Sequence, residues 1–148
     1  MTLPPLPDDA VMLDARADDW RGAVRLAGSA LQRSGAVSPG YADRMIDVIE
    51  QYGAYIVVAP GLALAHARPG ADVRHEGISV VTLADPVAFG HPHNDPVAVV
   101  IGLAVQNAEE HVALIAQLAN AFNDAGLVER IAGADGPDEV RSLLGMAA

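Results

Sequence analysis

The apolar residues of this chain follow two spacings, and each spacing predicts a different kind of element. Apolar positions three and four residues apart predict amphipathic helices with one buried face. The predicted helices extend from an Asp18 or Asp19 cap to Gly35, from a Ser38 cap and Pro39 to Gly53, from an Asn107 cap to about Phe122, from Leu127 to Ile131, and onwards from Pro137. In the third helix the residues expected to face inward are Val112, Ile115, Leu118, Ala119 and Phe122.

Short apolar runs bounded by turn residues predict buried strands. The predicted strands cover residues 11–13, 55–58, 62–65, 78–83 and 97–105. Asp85-Pro86 is expected to end the fourth strand, and the last strand is apolar enough to be covered on both faces. Strands interleaved with helices predict an α/β fold, a single-domain three-layer sandwich in which helices flank a mixed β-sheet. The domain takes in residues 1–148, and the Pro-rich, acidic residues 1–10 are expected to be a mobile lead-in.

Composition narrows the classes of function. The chain of 148 residues has no cysteine, which excludes disulfides, thiolate metal sites and cysteine nucleophiles. Its formal net charge of -10 argues against binding to nucleic acid and permits a basic protein partner. No apolar run approaches the roughly 20 residues of a membrane helix, and the first residues lack the pattern of a secretory signal. We therefore expect a cytoplasmic protein.

The segment at residues 55–69 brings a titratable side chain to the end of a predicted strand. Two apolar runs meet at a Pro60-Gly61 turn, and the second run ends at His66, which Arg68 follows two residues later. Proteins of the α/β class usually keep their sites at strand ends. A neutral core histidine, satisfied by a backbone carbonyl, is the alternative interpretation of His66.

His111 is the second candidate. If Asn107 caps its helix and Glu110 completes a capping box, His111 lies in the first turn, where free N–H groups and the helix dipole favour an anion. The same field disfavours a further positive charge, so a neutral, hydrogen-bonding His111 is expected. Facing histidines at a strand end and a helix start predict a phosphoryl site with His66 as nucleophile, while Arg68 adds charge. Such a site needs no metal and no cofactor.

The loop at residues 90–96 offers a competing metal site. Its two prolines and its Asn-Asp pair predict a turn, which Asp95 is expected to set. His91 and His93, together with His66 or Asp95, could bind zinc or copper. However, loop histidines are more often solvated, and no established metal-binding signature accompanies them.

Several segments share one family pattern when they are taken together. They are residues 41–51 (Tyr-Ala-Asp-Arg-Met-Ile-Asp-Val-Ile-Glu-Gln), residues 59–69 (Ala-Pro-Gly-Leu-Ala-Leu-Ala-His-Ala-Arg-Pro), residues 77–83 (Gly-Ile-Ser-Val-Val-Thr-Leu), Phe89, Asn94-Asp-Pro-Val97 and His111. In these segments the chain resembles the EIIA phosphocarrier domain of the bacterial sugar phosphotransferase system, mannitol/fructose class, and within it the ascorbate type. The resemblance extends from about Trp20 to near the C-terminus.

The resemblance implies a role for each candidate residue. His66 would accept a phosphoryl group from the phosphorylated carrier protein HPr and pass it to a cysteine of an EIIB component, so that an ascorbate-like sugar enters through a membrane EIIC component. His111 would support the phosphohistidine by hydrogen bonding. Arg68 is a candidate for stabilising the phosphate, and His91, His93, Asn94 and Asp95 are further candidates near the site. A homodimer is a further candidate assembly, since the sequence does not give the oligomeric state.

The chain departs from the family on both sides of His66. Family members usually have Pro before the phosphorylated histidine and often Gly after it, whereas Ala65 and Ala67 flank His66 here. Pro would fix the backbone and Gly would permit close approach, so the geometry of this loop is left open. Two other functions stay open: a regulatory EIIA-like binding module, and a metal-binding domain built on His66, His91 and His93.

Overall fold

The computed structural model of the protein describes residues 3–146. One mixed sheet forms its centre. Its strands are β1 (Val11–Ala15), β2 (Val57–Ala59), β3 (Leu62–His66), β4 (Gly77–Val87) and β5 (Val97–Ala104). They lie in the order β1-β4-β5-β3-β2. The pairs β1–β4 and β3–β5 are parallel, while β4–β5 and β2–β3 are antiparallel. The nearly uniform apolar strand β5 is therefore interior to the sheet.

Helices cover both faces of this sheet. They are α1 (Trp20–Arg33), α2 (Tyr41–Tyr52), α3 (Ala108–Ala121), α4 (Leu127–Ala132) and α5 (Pro137–Leu143). Two separate hydrophobic cores result, one between the sheet and α1 and α2, the other between the sheet and α3, α4 and α5. The predicted three-layer α/β sandwich is confirmed. Between Leu3 and Met146, no helix is long and apolar enough to cross a membrane.

The alternation of side chains along β3 decides where its last residue points. Ala63 and Ala65 belong to the core under α1 and α2, whereas Leu62 and Leu64 belong to the core under α3. Because successive side chains of a strand point to opposite faces, His66 falls on the α3 side. This places its ring on the side of the sheet that carries the start of α3.

Helix α2 begins later than predicted. Its N-cap is Gly40, with a φ of 102°, and not Ser38 followed by Pro39. The backbone at this point is held by the loop that precedes β4: Val37 forms an isolated bridge with Val73, and the Ser38 N–H donates to the Asp72 carbonyl at 2.8 Å. Tertiary pairing thus keeps Ser38 extended, and the helix starts once the chain has turned at Gly40.

Two predicted strand boundaries are wrong. Residues Ala54–Ile56 form a 3₁₀ turn, so β2 starts at Val57 and Tyr55 lies outside the sheet. Strand β4 does not end before Asp85-Pro86 but continues to Val87, which pairs with Val97 across a shift in register. Pairing with β1 stops at Leu83, so Pro86 removes no hydrogen bond from the sheet on that side.

The inward face of α3 was predicted only in part. Leu114 and Leu118 are its buried residues, whereas Val112 is 67% exposed and Ala119 is exposed. The helix is apolar on several sides, so a spacing of three and four residues fits more than one face.

The N-terminal segment packs against the domain. Leu6 and Ala10 are buried, and the Arg141 guanidinium donates to the Leu6 carbonyl at 2.9 Å. Of the lead-in that was expected to be mobile, Met1 and Thr2 lie outside the described residues.

Candidate functional site

The hydrogen bonds of the His66 ring determine which of its nitrogens carries the proton. Nδ1 lies 3.0 Å from the backbone carbonyl oxygen of Leu64, and Nε2 lies 3.5 Å from the hydroxyl oxygen of Tyr55. A carbonyl oxygen can only accept, so Nδ1 must be the donor. In the neutral ring Nε2 then has a free lone pair. Nε2 is therefore the ring nitrogen that is available to act as a nucleophile.

Burial lowers the pKa of His66 below its ordinary value of 6.5, because the charged imidazolium would lose solvation there. The hydrogen bond to the Leu64 carbonyl acts in the opposite direction, and the nearby His111 lowers the pKa further. The net direction is downward, so His66 is neutral near pH 7. A neutral imidazole is the form that can act as a nucleophile.

The structure brings His111 next to His66. Their ring centroids are 4.9 Å apart, with the ring planes inclined by 54°. His111 lies in the first turn of α3, whose N-cap is Asn107 as predicted: the Asn107 side chain accepts from the Glu110 N–H at 2.8 Å. The Glu110 carboxylate accepts in return from the N–H of Gln106, one residue before the cap. The capped helix start thus holds the second imidazole beside the first.

A cleft of about 500 Å³ opens beside the two histidines. It is lined by Val48, Tyr52, Tyr55, His66, Ala67, Arg68, Pro69, Ala108 and His111. The Arg68 guanidinium is held toward the cleft by the hydroxyl of Tyr52, to which its Nη2 donates at 3.2 Å. Ala108, the first residue of α3, brings the positive end of the helix dipole to the same place. The cleft therefore combines one nucleophile with several groups that favour an anion.

The backbone after His66 is fixed by a buried tyrosine. The Tyr41 hydroxyl accepts from the Ala67 N–H at 3.1 Å and donates to the Leu103 carbonyl at 2.6 Å. Leu103 is the residue of β5 that pairs with His66. Burial raises the pKa of Tyr41 to about 12, so the hydroxyl keeps the proton that this arrangement requires. The alanine in the position where the family often has glycine is thus firmly held.

Arg44 fixes the next part of the same loop. Its guanidinium forms two hydrogen bonds with the Asp72 carboxylate, at 2.8 and 2.6 Å, and a third with the Arg68 carbonyl at 2.8 Å. The hydrogen bonds from Arg44 hold the pKa of Asp72 below its ordinary value. Helix α2 thus supports the loop at two points, through Tyr41 and through Arg44.

The remaining candidates lie in the loop between β4 and β5 and are not among the residues that line the cleft. The Asp95 carboxylate accepts from the N–H groups of Phe89, Gly90 and His91, and His91 Nδ1 accepts from those of His93 and Asn94. The Asn94 carbonyl accepts from the Gly61 N–H at 3.0 Å. The Asp95 and His91 side chains thus shape the loop, and the Asn94 backbone supports the β2–β3 turn. Throughout residues 3–146, no group of three or more His, Cys, Asp or Glu side chains is placed to hold a metal ion.

Sequence reasoning did not assign Tyr41, Arg44, Tyr52 or Tyr55 to the site. For Tyr41 the sequence did contain a signal: its hydroxyl belongs to a helix face that is predicted to be buried. A buried hydroxyl needs a hydrogen-bond partner. Tyr52 and Tyr55 flank Gly53 at the end of α2, where the chain turns toward β2.

Comparison with known sequences gives one family and many relatives. The profile of the family described as "Phosphoenolpyruvate-dependent sugar phosphotransferase system, EIIA 2" matches residues 5–146. Among curated proteins, the ascorbate-specific PTS system EIIA component of Salmonella typhimurium is 36% identical over 138 residues, which are 93% of this chain and 90% of the relative.

Solved structures show the same likeness. The crystal structure of IIA mannitol from Escherichia coli superposes with a TM-score of 0.83 at 31% identity, covering 95% of this chain and 99% of that one. An NMR structure of the complex of enzyme IIAMTL and phosphorylated enzyme IIBMTL, also from Escherichia coli, gives a TM-score of 0.84 at 29% identity, with 95% and 97% covered.

Proposed function

The chain belongs to the EIIA 2 family of the phosphoenolpyruvate-dependent sugar phosphotransferase system, and from this premise we propose that it is a cytoplasmic phosphocarrier. His66 accepts a phosphoryl group from phosphorylated HPr and passes it to a cysteine of an EIIB component. The observation that carries this proposal is the His66 ring itself, with Nδ1 bound to the Leu64 carbonyl and an unprotonated Nε2 at the cleft.

In the first step, the Nε2 lone pair attacks the phosphorus of the donor's phosphohistidine. The bond between phosphorus and Nε2 forms, and the bond between phosphorus and the donor nitrogen breaks, with its electron pair returning to the donor ring. His66 releases no proton, because its only ring proton stays on Nδ1 against the Leu64 carbonyl. The protonated, phosphorylated ring is then a good leaving group for onward transfer.

Neighbouring groups stabilise the phosphoryl group in its new position. His111, Arg68 and the start of α3 all border the cleft into which Nε2 points. Hydrogen-bond donors and dipoles fixed in advance around a developing anion are among the largest contributions to catalysis. We therefore assign the nucleophile to His66, hydrogen-bond support to His111 and charge stabilisation to Arg68.

In the second step, a thiolate attacks the same phosphorus and His66 leaves as a neutral imidazole. This chain has no cysteine, so the thiolate must belong to a partner. The EIIB component fills that place, and a complex of an EIIA with a phosphorylated EIIB is known for the mannitol relative. The ascorbate-specific relative suggests an ascorbate-like sugar, taken up through a membrane EIIC component.

Exposed apolar side chains line the cleft or lie on elements next to it, as docking of a protein donor and acceptor would need. Tyr52, Tyr55, Val58 and Val112 are between 51% and 67% exposed. Tyr52 and Tyr55 line the cleft, Val112 follows His111, and Val58 lies on β2, next to the strand that carries His66. An apolar surface around a reactive residue is typical of a site for protein partners.

Phosphorylation can be tested by measuring the intact mass after incubation with Enzyme I, HPr and phosphoenolpyruvate. We expect one acid-labile phosphoryl adduct on the wild type and none on His66→Ala. His111→Ala should still accept the group, at a rate lower by about a hundredfold, which is the usual cost of removing one donor from a developing anion. The matched control is His75→Ala, which removes an exposed imidazole whose ring is hydrogen-bonded to the Glu76 carbonyl, away from the cleft, and it should behave as wild type.

An adduct that persists on His66→Ala would place the phosphoryl group elsewhere and contradict the proposal. A folded wild type that stays unmodified beside active phospho-HPr would favour the regulatory binding module instead.

A further inference from the structure

We propose that the Tyr55 hydroxyl is a hydrogen-bond donor that stabilises phosphorylated His66: it rests against Nε2 of His66 and moves its hydrogen bond to a phosphoryl oxygen once Nε2 is phosphorylated. The inference deepens the proposed function and rests on it. It concerns a residue just outside the sheet, on the 3₁₀ turn Ala54–Ile56.

The direction of the contact follows from the His66 tautomer. Nδ1 donates to the Leu64 carbonyl, so Nε2 has no hydrogen to offer, and only the hydroxyl can donate across the 3.5 Å that separates Tyr55 from Nε2. Within the described part of the chain, the Tyr55 hydroxyl has no other hydrogen-bond partner. At 3.5 Å the contact is long, so it stabilises the free ring only weakly.

The position of the ring suits a larger group on Nε2. The Tyr55 and His66 rings meet edge to face, with centroids 6.1 Å apart and planes inclined by 86°. Tyr55 is 51% exposed, so its ring has room to adjust, whereas the next residue, Ile56, is buried and anchors the backbone of the turn. A phosphoryl group bonded to Nε2 would extend toward the hydroxyl and bring an anionic oxygen within its reach.

The hydroxyl is also in the protonation state that donation needs. Partial burial of the hydroxyl raises the pKa of Tyr55 above its ordinary value of 10.0, the nearby Tyr52 adds to this, and Arg68 acts in the opposite direction. Tyr55 therefore keeps its proton at neutral pH.

Tyr55 completes a set of three donors from three elements. His111 comes from the start of α3, Arg68 from the loop after β3, and Tyr55 from the turn before β2. A phosphoryl group has three peripheral oxygens, and donors from different elements approach it from different directions. A hydrogen bond to a charged acceptor is about twice as strong as one between neutral groups. Tyr55 should therefore favour the phosphorylated form over the free form of His66.

The test is the equilibrium constant for phosphoryl transfer between phospho-HPr and the full chain, measured by intact mass after Enzyme I is removed. Tyr55→Phe keeps the aromatic edge contact and removes only the hydroxyl. We expect this variant to shift the equilibrium about tenfold toward phospho-HPr, because a hydrogen bond to a charged group is lost. The ¹⁵N chemical shift of His66 Nε2 in the free protein should change as well.

Tyr52→Phe is the matched control for the chemical shift. It removes the neighbouring hydroxyl, which contacts Arg68 and not the imidazole, so the Nε2 shift of the free protein should stay at its wild-type value.

Three outcomes would overturn the inference. A wild-type equilibrium constant for Tyr55→Phe would show that the hydroxyl does not favour the phosphorylated form. Forward and reverse rates that fall equally, with the equilibrium unchanged, would show that the hydroxyl acts on the encounter or the transition state and not on the phosphorylated form of His66. A wild type that HPr fails to phosphorylate on His66 would overturn the proposed function itself, which the first two outcomes leave standing.

Discussion

At the scale of the residue, the chemistry of the site depends on where one proton sits. The Leu64 carbonyl holds that proton on Nδ1 of His66, and burial keeps a second proton off Nε2. The same two features make the ring nucleophilic and determine how acid affects the protein. The proposed reactivity of His66 and the effect of its protonation on stability therefore share one cause.

Acid should destabilise the protein through His66. Its pKa is lowered in the folded state, so the unfolded chain binds the proton at a higher pH than the folded chain does. The free energy of unfolding should therefore fall as the pH drops below 6.5, and stop falling from this cause once folded His66 is protonated. Each pH unit in that window contributes at most about 1.4 kcal/mol.

Urea unfolding at a series of pH values measures this effect. His66→Gln cannot titrate, so its free energy of unfolding should fall less steeply with acid over the same window. Equal slopes for the variant and the wild type would show that the His66 pKa is not lowered.

Part of the site could be predicted residue by residue. His66 and His111 are far apart in sequence, yet a strand end and a helix cap are both recognisable from local pattern, and those two places are adjacent in the fold. Tyr52 and Tyr55 could not be placed in this way. The sequence pattern predicts Tyr55 as the first residue of an apolar strand. In the structure it lies in a 3₁₀ turn, and its hydroxyl contacts His66.

At the scale of the element, helix α2 acts as a support for the loop after β3. Tyr41 contacts Ala67 and the β5 carbonyl at Leu103, and one turn later Arg44 contacts Asp72 and the Arg68 carbonyl. The loop is thereby tied to a helix that packs on the opposite face of the sheet from α3. The position of Arg68 at the cleft depends on this support.

Tyr41→Phe should destabilise the protein by about 1–3 kcal/mol, because the Ala67 N–H and the Leu103 carbonyl would each lose a buried partner. Urea unfolding measures the change. Tyr52→Phe, whose side chain is 53% exposed, should stay within about 0.5 kcal/mol of wild type. A Tyr41→Phe protein as stable as wild type would mean that water replaces the lost hydroxyl.

The elements themselves were predictable where local pattern and tertiary packing agree. The Asp19 and Asn107 caps form as expected, because each side chain accepts a hydrogen bond from its own helix. Ser38-Pro39 also resembles a helix start, but pairing with the loop before β4 prevails there. Val112 shows a second limit of prediction from local pattern. When a helix is apolar on several sides, its sequence does not reveal which side is buried.

At the scale of the whole molecule, charge should govern the encounter with partners. The formal net charge is -10, and exposed arginines are partly engaged in pairs such as Arg16 with Asp85 and Arg25 with Asp43. These exposed pairs add little stability. The excess of carboxylates remains as a negative field, which favours a carrier with a basic face.

The rate of phosphoryl transfer from phospho-HPr should therefore fall as salt is raised from low to above physiological concentration, since salt screens attraction between exposed charges. Stopped-flow mixing at several salt concentrations measures the second-order rate constant. Hydrolysis of the isolated phosphoprotein involves no encounter and should change little. A transfer rate that rises or stays constant with salt would show that the acidic surface does not steer docking.

The alternation along β3 also limits how this gene can change in length. His66 faces α3 because it lies an even number of residues after Leu62, on the same side of the strand as Leu64. One codon inserted or deleted between Gly61 and Ala65 would turn the imidazole toward α1 and α2 and leave an alanine facing His111. Related chains should therefore tolerate length changes in the Pro60-Gly61 turn or before it, and keep the spacing from Leu62 to His66 constant.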